Sequence, residues 1–171
     1  MVDTNIVWNK FVRITHWLVA VITVLDMFVF DDGDQPHIWL GYTVTLIVVL
    51  RLAYGFLSRN QAHSFSKFPL SPKSLIKFFL DKINNRDVAY QGHNPAASLI
   101  YVIIWLCVLG LAVTGWMLGL DRYFGDDQVE AAHLIINRIL QIAIIIHLLG
   151  MFVDSVQFKR KAWMSMFDGK K

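Results

Sequence analysis

The run EAAHLIINRILQIAIIIHLLGMFVDS, residues 130–155, is almost unbroken apolar sequence with a histidine towards each end. A hydrocarbon core takes about 20 helical residues to cross, so a run of this length reads as a membrane-spanning helix. His133 and His147 stand fourteen residues apart within it. At 100° per residue that spacing returns them to within about 40° of the same face, and at 1.5 Å per residue it separates them by about 21 Å along the axis. One side of one helix therefore carries an imidazole near each membrane surface.

Three further apolar runs, at about residues 11–30, 37–57 and 95–120, are also long enough to span. The 171-residue chain is 56% hydrophobic and 17% charged with a mean hydropathy of +0.48, whereas soluble domains carry about 25% charged residues. The expectation is an all-α membrane protein, a four-transmembrane-helix bundle forming one domain over residues 1–171. Neither a repeat nor a linker divides it. The first run follows a short basic stretch, as a secretory signal does. Its length, the His16 and Asp26 inside it and the Asp31-Asp32 at its end point instead to a retained helix.

Lys10 and Arg13 open the first run, and Arg59, Lys67, Lys73, Lys77, Lys82 and Arg86 lie between the second and third. Lys159, Arg160, Lys161, Lys170 and Lys171 follow the fourth. The other two connections hold Asp31, Asp32, Asp34, Asp121, Asp126, Asp127 and Glu130 against Arg122 alone. This asymmetry puts both termini and the middle loop in the cytoplasm. The basic pI of 9.1 is thus a topology signal, and nucleic-acid binding is set aside because the cations flank hydrophobic spans. Within the middle loop, Ser71-Pro72 is a helix start, and Leu75, Ile76, Phe79, Leu80 and Ile83 fall on one face. A short amphipathic cytoplasmic helix resting on the membrane is expected there, either as a connector or as a lid over a cofactor site.

Four histidines lie at matched depths. His16 follows the cytoplasmic entry of the first helix and His147 precedes the cytoplasmic exit of the last, while His37 and His133 each open a helix from the outside. A lone histidine near a helix end is commonly an interfacial polar residue or an interhelical hydrogen-bond partner. Two facing pairs suit bis-histidine ligation of iron in two haems, with His16 and His147 at one level and His37 and His133 at the other. Cys107 is the single cysteine, so no C-x-x-C-H attachment exists; any haem is held without thioether bonds, as haem b, and Cys107 itself reads as a small packing residue.

Arg13, Arg51 and Arg138 are candidates to meet haem propionates, the competing reading of the first two being positive-inside anchoring. Asp26 is either a proton-relay carboxylate or a solvated one. Gly41, one turn after His37, and Gly110, Gly115 and Gly119 in the third span make room for a flat ring or for a neighbouring helix. Trp17, Trp39, Trp105 and Trp116 read as interface anchors or core packing.

The segments Val7-Trp8-Asn9-Lys10-Phe11-Val12-Arg13 leading into His16-Trp17-Leu18, His37-Ile38-Trp39-Leu40-Gly41-Tyr42 and Gly92-His93-Asn94-Pro95-Ala96-Ala97 resemble the prokaryotic cytochrome b561 family. That family includes the b-type cytochrome subunits of nickel-iron hydrogenases. Glu130, His133 and His147 of the last helix extend the likeness over nearly the whole chain. The resemblance implies a four-helix dihaem membrane cytochrome with His16, His37, His133 and His147 as axial ligands. It also implies quinone exchange near one haem, for which His63 and His93, with Lys67 or Arg51, are candidates. A histidine suits quinol deprotonation because its pKa lies near physiological pH, and the competing reading is a loop-capping histidine.

The short form looks more like relatives paired with periplasmic c-type cytochromes than like hydrogenase subunits. The leading expectation is transmembrane electron transfer between the quinone pool and a periplasmic redox partner such as a c-type cytochrome. The alternatives are a superoxide:quinone oxidoreductase, which needs a positive outer funnel that these acidic loops do not offer, and an anchor subunit of a hydrogenase-like complex.

Overall fold

Three of the four spans begin where a polar side chain accepts from the amides that an apolar helix leaves open at its start, and the second instead has a proline in its first turn. The computed structural model is all-helical and describes residues 7–58, 64–84, 86, 88, 90, 93–159 and 161–170. Helix α1, Lys10–Phe28, is capped by Asn9, whose side chain accepts from the Val12 amide at 3.0 Å. A short acidic connection turns at Gly33, where φ of 84° favours glycine, into α2, Gln35–Leu57. The short helix α3, Pro72–Ile83, starts as the sequence predicts, with the Ser71 hydroxyl accepting from the Ser74 amide at 3.2 Å. Asn94 caps α4, Pro95–Leu118, and Asp126 caps α5, Asp127–Gln157. A last turn of helix, α6, covers Ser165–Asp168.

Two boundaries differ from the apolar runs. The first helix stops at Phe28 rather than near residue 30. The fifth starts at Asp127 rather than 130, because Asp126 accepts from the Gln128 and Val129 amides and Asp127 and Glu130 sit favourably at the positive end of the helix dipole. Hydropathy does not register such a polar first turn.

Close packing runs α1 on α2, α2 on α4 and α4 on α5. The core lies at mid-height, where Val44 and Val48 of α2, Cys107 and Val108 of α4 and Leu140 of α5 meet. Cys107 is free and buried there, which is the packing role expected of it. Outside this layer Ile14, Leu46, Leu106, Val113, Ile142, Ile145 and Phe152 are exposed. An apolar surface of that extent is stable against lipid rather than water. Helices α1, α2, α4 and α5 are each long and apolar enough to cross a membrane, and the protein is a multi-pass membrane protein.

The two ends of the bundle differ. At one, the Val7 and Trp8 amides donate to the Gly169 carbonyl at 2.8 and 3.0 Å, so the start of α1 and the segment after α5 meet. This terminal end also carries α3, which buries none of its residues and exposes Ile76, Phe79, Leu80 and Ile83 together. Lys82 of α3 is hydrogen-bonded to Gln157 at the end of α5 and stands over the Phe158 ring. The opposite end holds the aspartate-rich connections from α1 to α2 and from α4 to α5.

Candidate haem sites

Where α1 and α2 face α5, imidazoles bridge the space between them. At the terminal end His16 of α1 and His147 of α5 have ring centroids 6.3 Å apart. At the acidic end His37 of α2 and His133 of α5 are likewise 6.3 Å apart. All four predicted histidines are thus brought together in two pairs, with the apolar core layer between them.

The surroundings of the two pairs are unlike. Thr114 of α4 places its hydroxyl oxygen 2.7 Å from Nδ1 of His133 and 2.9 Å from the Gly110 carbonyl. Gly115 of α4 lies beside that imidazole, where a Cβ would stand 3.4 Å from His133 Cε1, an ordinary contact. Gly110 is the tighter point of the α4–α5 contact, since a Cβ there would stand 3.3 Å from Ile136. Asp26 places Oδ1 3.0 Å from His37 Nδ1, within ion-pair range though off the line of a hydrogen bond. The carboxylate is therefore neither simply solvated nor isolated. At the terminal end His16 Nδ1 is buried with no hydrogen-bond partner among the described residues.

Next to His147, an aromatic cap closes the terminal end. Tyr101 of α4 meets His147 at 5.4 Å and His93 at 4.5 Å between ring centroids. His93 also packs against Trp8 and Phe68, and Phe68 and Phe65 pack on Trp105. Phe65 reaches this position because α2 has a glycine beneath it: a Cβ on Gly55 would lie 2.5 Å from the ring. Arg51 is buried within electrostatic reach of Tyr54 and Tyr101, and its Nη1 has no hydrogen-bond partner among the described residues.

The geometry can be tested against a metal group. A bond from metal to imidazole nitrogen is about 2 Å and the nitrogen lies about 1.1 Å from its ring centre, so two imidazoles on opposite sides of one ion have centres about 6.2 Å apart. Both pairs, at 6.3 Å, match that separation closely. Among the described residues no group of three or more His, Cys, Asp or Glu converges to hold a bare ion. Two opposed nitrogens leave an equatorial plane open, and the four nitrogens of a porphyrin fill such a plane. The space beside His37 is open, since a Cβ at Gly41, a turn away, would meet nothing within 4 Å. The residues at both levels fit a haem.

The sequence pattern of the family described as prokaryotic cytochrome b561 matches residues 7–169. The chain belongs to that family. Membership of the cytochrome b561 family brings with it b-type haem and transmembrane electron transfer. Comparison with curated proteins and with solved structures finds no match.

The remaining predicted residues of this cytochrome divide by position. Arg13 donates to the Met166 carbonyl at 3.5 Å, and Trp17 donates to the same carbonyl at 3.1 Å. Arg138 is exposed and donates to Gln141 on its own helix at 2.9 Å. Lys67 is exposed on the short turn Phe65–Lys67, while His93 is part of the cap. His63 lies outside the described residues. The sequence reading did not single out Thr114 or Tyr101. Their only signal was a hydroxyl in an otherwise apolar helix, which says little before the register of α4 on α5 is known.

Proposed function

We propose that this cytochrome carries electrons between the quinone pool at its terminal, cytoplasmic end and a periplasmic redox protein, such as a c-type cytochrome, at its acidic end. In this reading His16 and His147 are the axial ligands of one haem b, and His37 and His133 of a second. The observation that supports it most is the pair of equal imidazole separations at the two ends of one bundle. When bound, each haem supplies a one-electron carrier whose potential answers to ligand basicity, burial and nearby charge.

The residues around each level have matching roles. Arg51, a buried cation with an unpartnered nitrogen, offers a charge-assisted hydrogen bond to a propionate or a quinone oxygen at the terminal end. His93 and Tyr101 supply a proton-exchanging group and a phenol in line with His147. Arg13, beside the same end, balances propionate charge, and Arg138 does so on the acidic half. The positive-inside asymmetry supports cytoplasmic termini. Asp31, Asp32, Asp34, Asp121, Asp126 and Asp127 outside attract a basic partner surface and speed encounter in low salt.

The test is electron transfer by the haem-loaded protein in liposomes supplied with a quinol analogue and an external soluble c-type cytochrome. The expected result is quinol-dependent reduction of the external protein, lost in both His147→Ala and His37→Ala. Absence of that transfer together with rapid haem reduction by superoxide would replace this reading with superoxide oxidation at the outer face.

A further inference from the structure

The two imidazole pairs have the same spacing, but they differ in what stands at Nδ1 of their rings. The Thr114 hydroxyl has one hydrogen, and the Gly110 carbonyl one turn back on the same helix takes it at 2.9 Å. Its lone pairs then face His133 Nδ1 at 2.7 Å and require a proton on that nitrogen. His133 is fixed in the tautomer whose Nε2 lone pair is free. The Asp26 carboxylate stands 3.0 Å from His37 Nδ1, off the line of a hydrogen bond, and its charge favours a proton on that nitrogen of the opposing ring. His16 has neither: among the described residues its buried Nδ1 meets no hydrogen-bond partner and no carboxylate within ion-pair range.

We infer that Thr114 and Asp26 are positioning residues for the acidic-end site, orienting His133 and His37 through Nδ1 and making them more electron-donating ligands. The inference rests on the assignment of the four histidines as axial ligands. A hydrogen bond accepted from Nδ1 by Thr114, or a carboxylate charge beside Nδ1 as at Asp26, raises the basicity of Nε2, which stabilises the oxidised metal and lowers the potential of that site alone. The chain thereby has a means of setting its two carriers apart although their ligands are the same residue type. Thr114 and Asp26 come from different helices, α4 and α1, so the site is braced from both sides of α5 and α2.

The experiment is a redox titration of the haem-loaded protein with low-temperature electron paramagnetic resonance of the oxidised form. His133→Ala and His147→Ala assign each wave and each low-spin signal to its level. Thr114→Val, which keeps the shape and removes the hydroxyl, is expected to raise the potential of the acidic-end wave and alter its resonance, leaving the other wave in place. Thr114→Ser restores wild-type behaviour, and Asp26→Asn moves the same wave in the same direction. The inference is overturned if Thr114→Val and Asp26→Asn both keep two haems with unmoved potentials, or if both waves move alike. If His133→Ala and His147→Ala themselves leave both waves intact, the ligand assignment fails and takes the inference with it.

Discussion

Gly55→Ala is the smallest change that should disturb the cap over the terminal-end pair. A Cβ built at Gly55 stands 2.5, 2.6 and 2.9 Å from three carbons of the Phe65 ring, where ordinary contact begins at 3.4 Å. The ring must retreat by about 0.9 Å, a scale at which overpacking is felt. It cannot do so freely, because Phe56, Phe68 and Trp105 surround it at centroid distances of 4.8, 5.3 and 5.1 Å. Overpacking of this kind costs about 1–3 kcal/mol, against which the gain in helix propensity from glycine to alanine returns about 1 kcal/mol at most. For a chain of this size the net loss is a fall of several degrees in the thermal midpoint, at roughly 2–4 °C per kcal/mol. The assay is thermal unfolding in detergent followed by tryptophan fluorescence, with quinol turnover measured alongside. Turnover should fall with stability, since Phe68 of the same cap packs on His93. In a Phe65→Ala background the same substitution should cost nothing further, because the clash is gone. An equal loss in that background would refute the steric account.

Single histidine replacements should separate the two levels: His147→Ala removes one haem and spares the other, and His133→Ala does the reverse, as sites about 21 Å apart should act independently. Haem extracted per chain checks this, and loss of both from a chain that still unfolds cooperatively would contradict it. Gly41→Leu fills the open space beside His37 and is expected to exclude the acidic-end haem alone, read from the same two waves; full occupancy would remove Gly41 from the site. Arg51→Gln should weaken retention of the terminal-end haem on prolonged dialysis without changing the acidic end, whereas equal retention at both levels would leave Arg51 outside propionate binding.

The fold was legible because each span is a simple count of apolar residues against bilayer thickness, and Ser71-Pro72 announces α3 by its capping chemistry. The pairing of His16 with His147 and of His37 with His133 was legible for a related reason. Straight antiparallel helices keep depth, and depth can be read from position along a span. What depends on rotation and register between helices was not. Thr114 reaches His133 through the register of α4 against α5, and a threonine in an apolar run carries no sign of that. Asp26 reaches His37 because the chain reverses over a short connection at Gly33, so that a carboxylate from one helix and an imidazole from the next share a level. The contact of Phe65 with Gly55 joins a loop to a span, and glycine in a membrane helix is too common to point to a particular ring.

The most direct test of the central claim is a reduced-minus-oxidised absorption spectrum of the detergent-purified protein with extracted haem counted per polypeptide. Two b-type haems per chain is the result that the two imidazole pairs predict. One haem per chain after expression with ample haem, or none, would contradict the dihaem account.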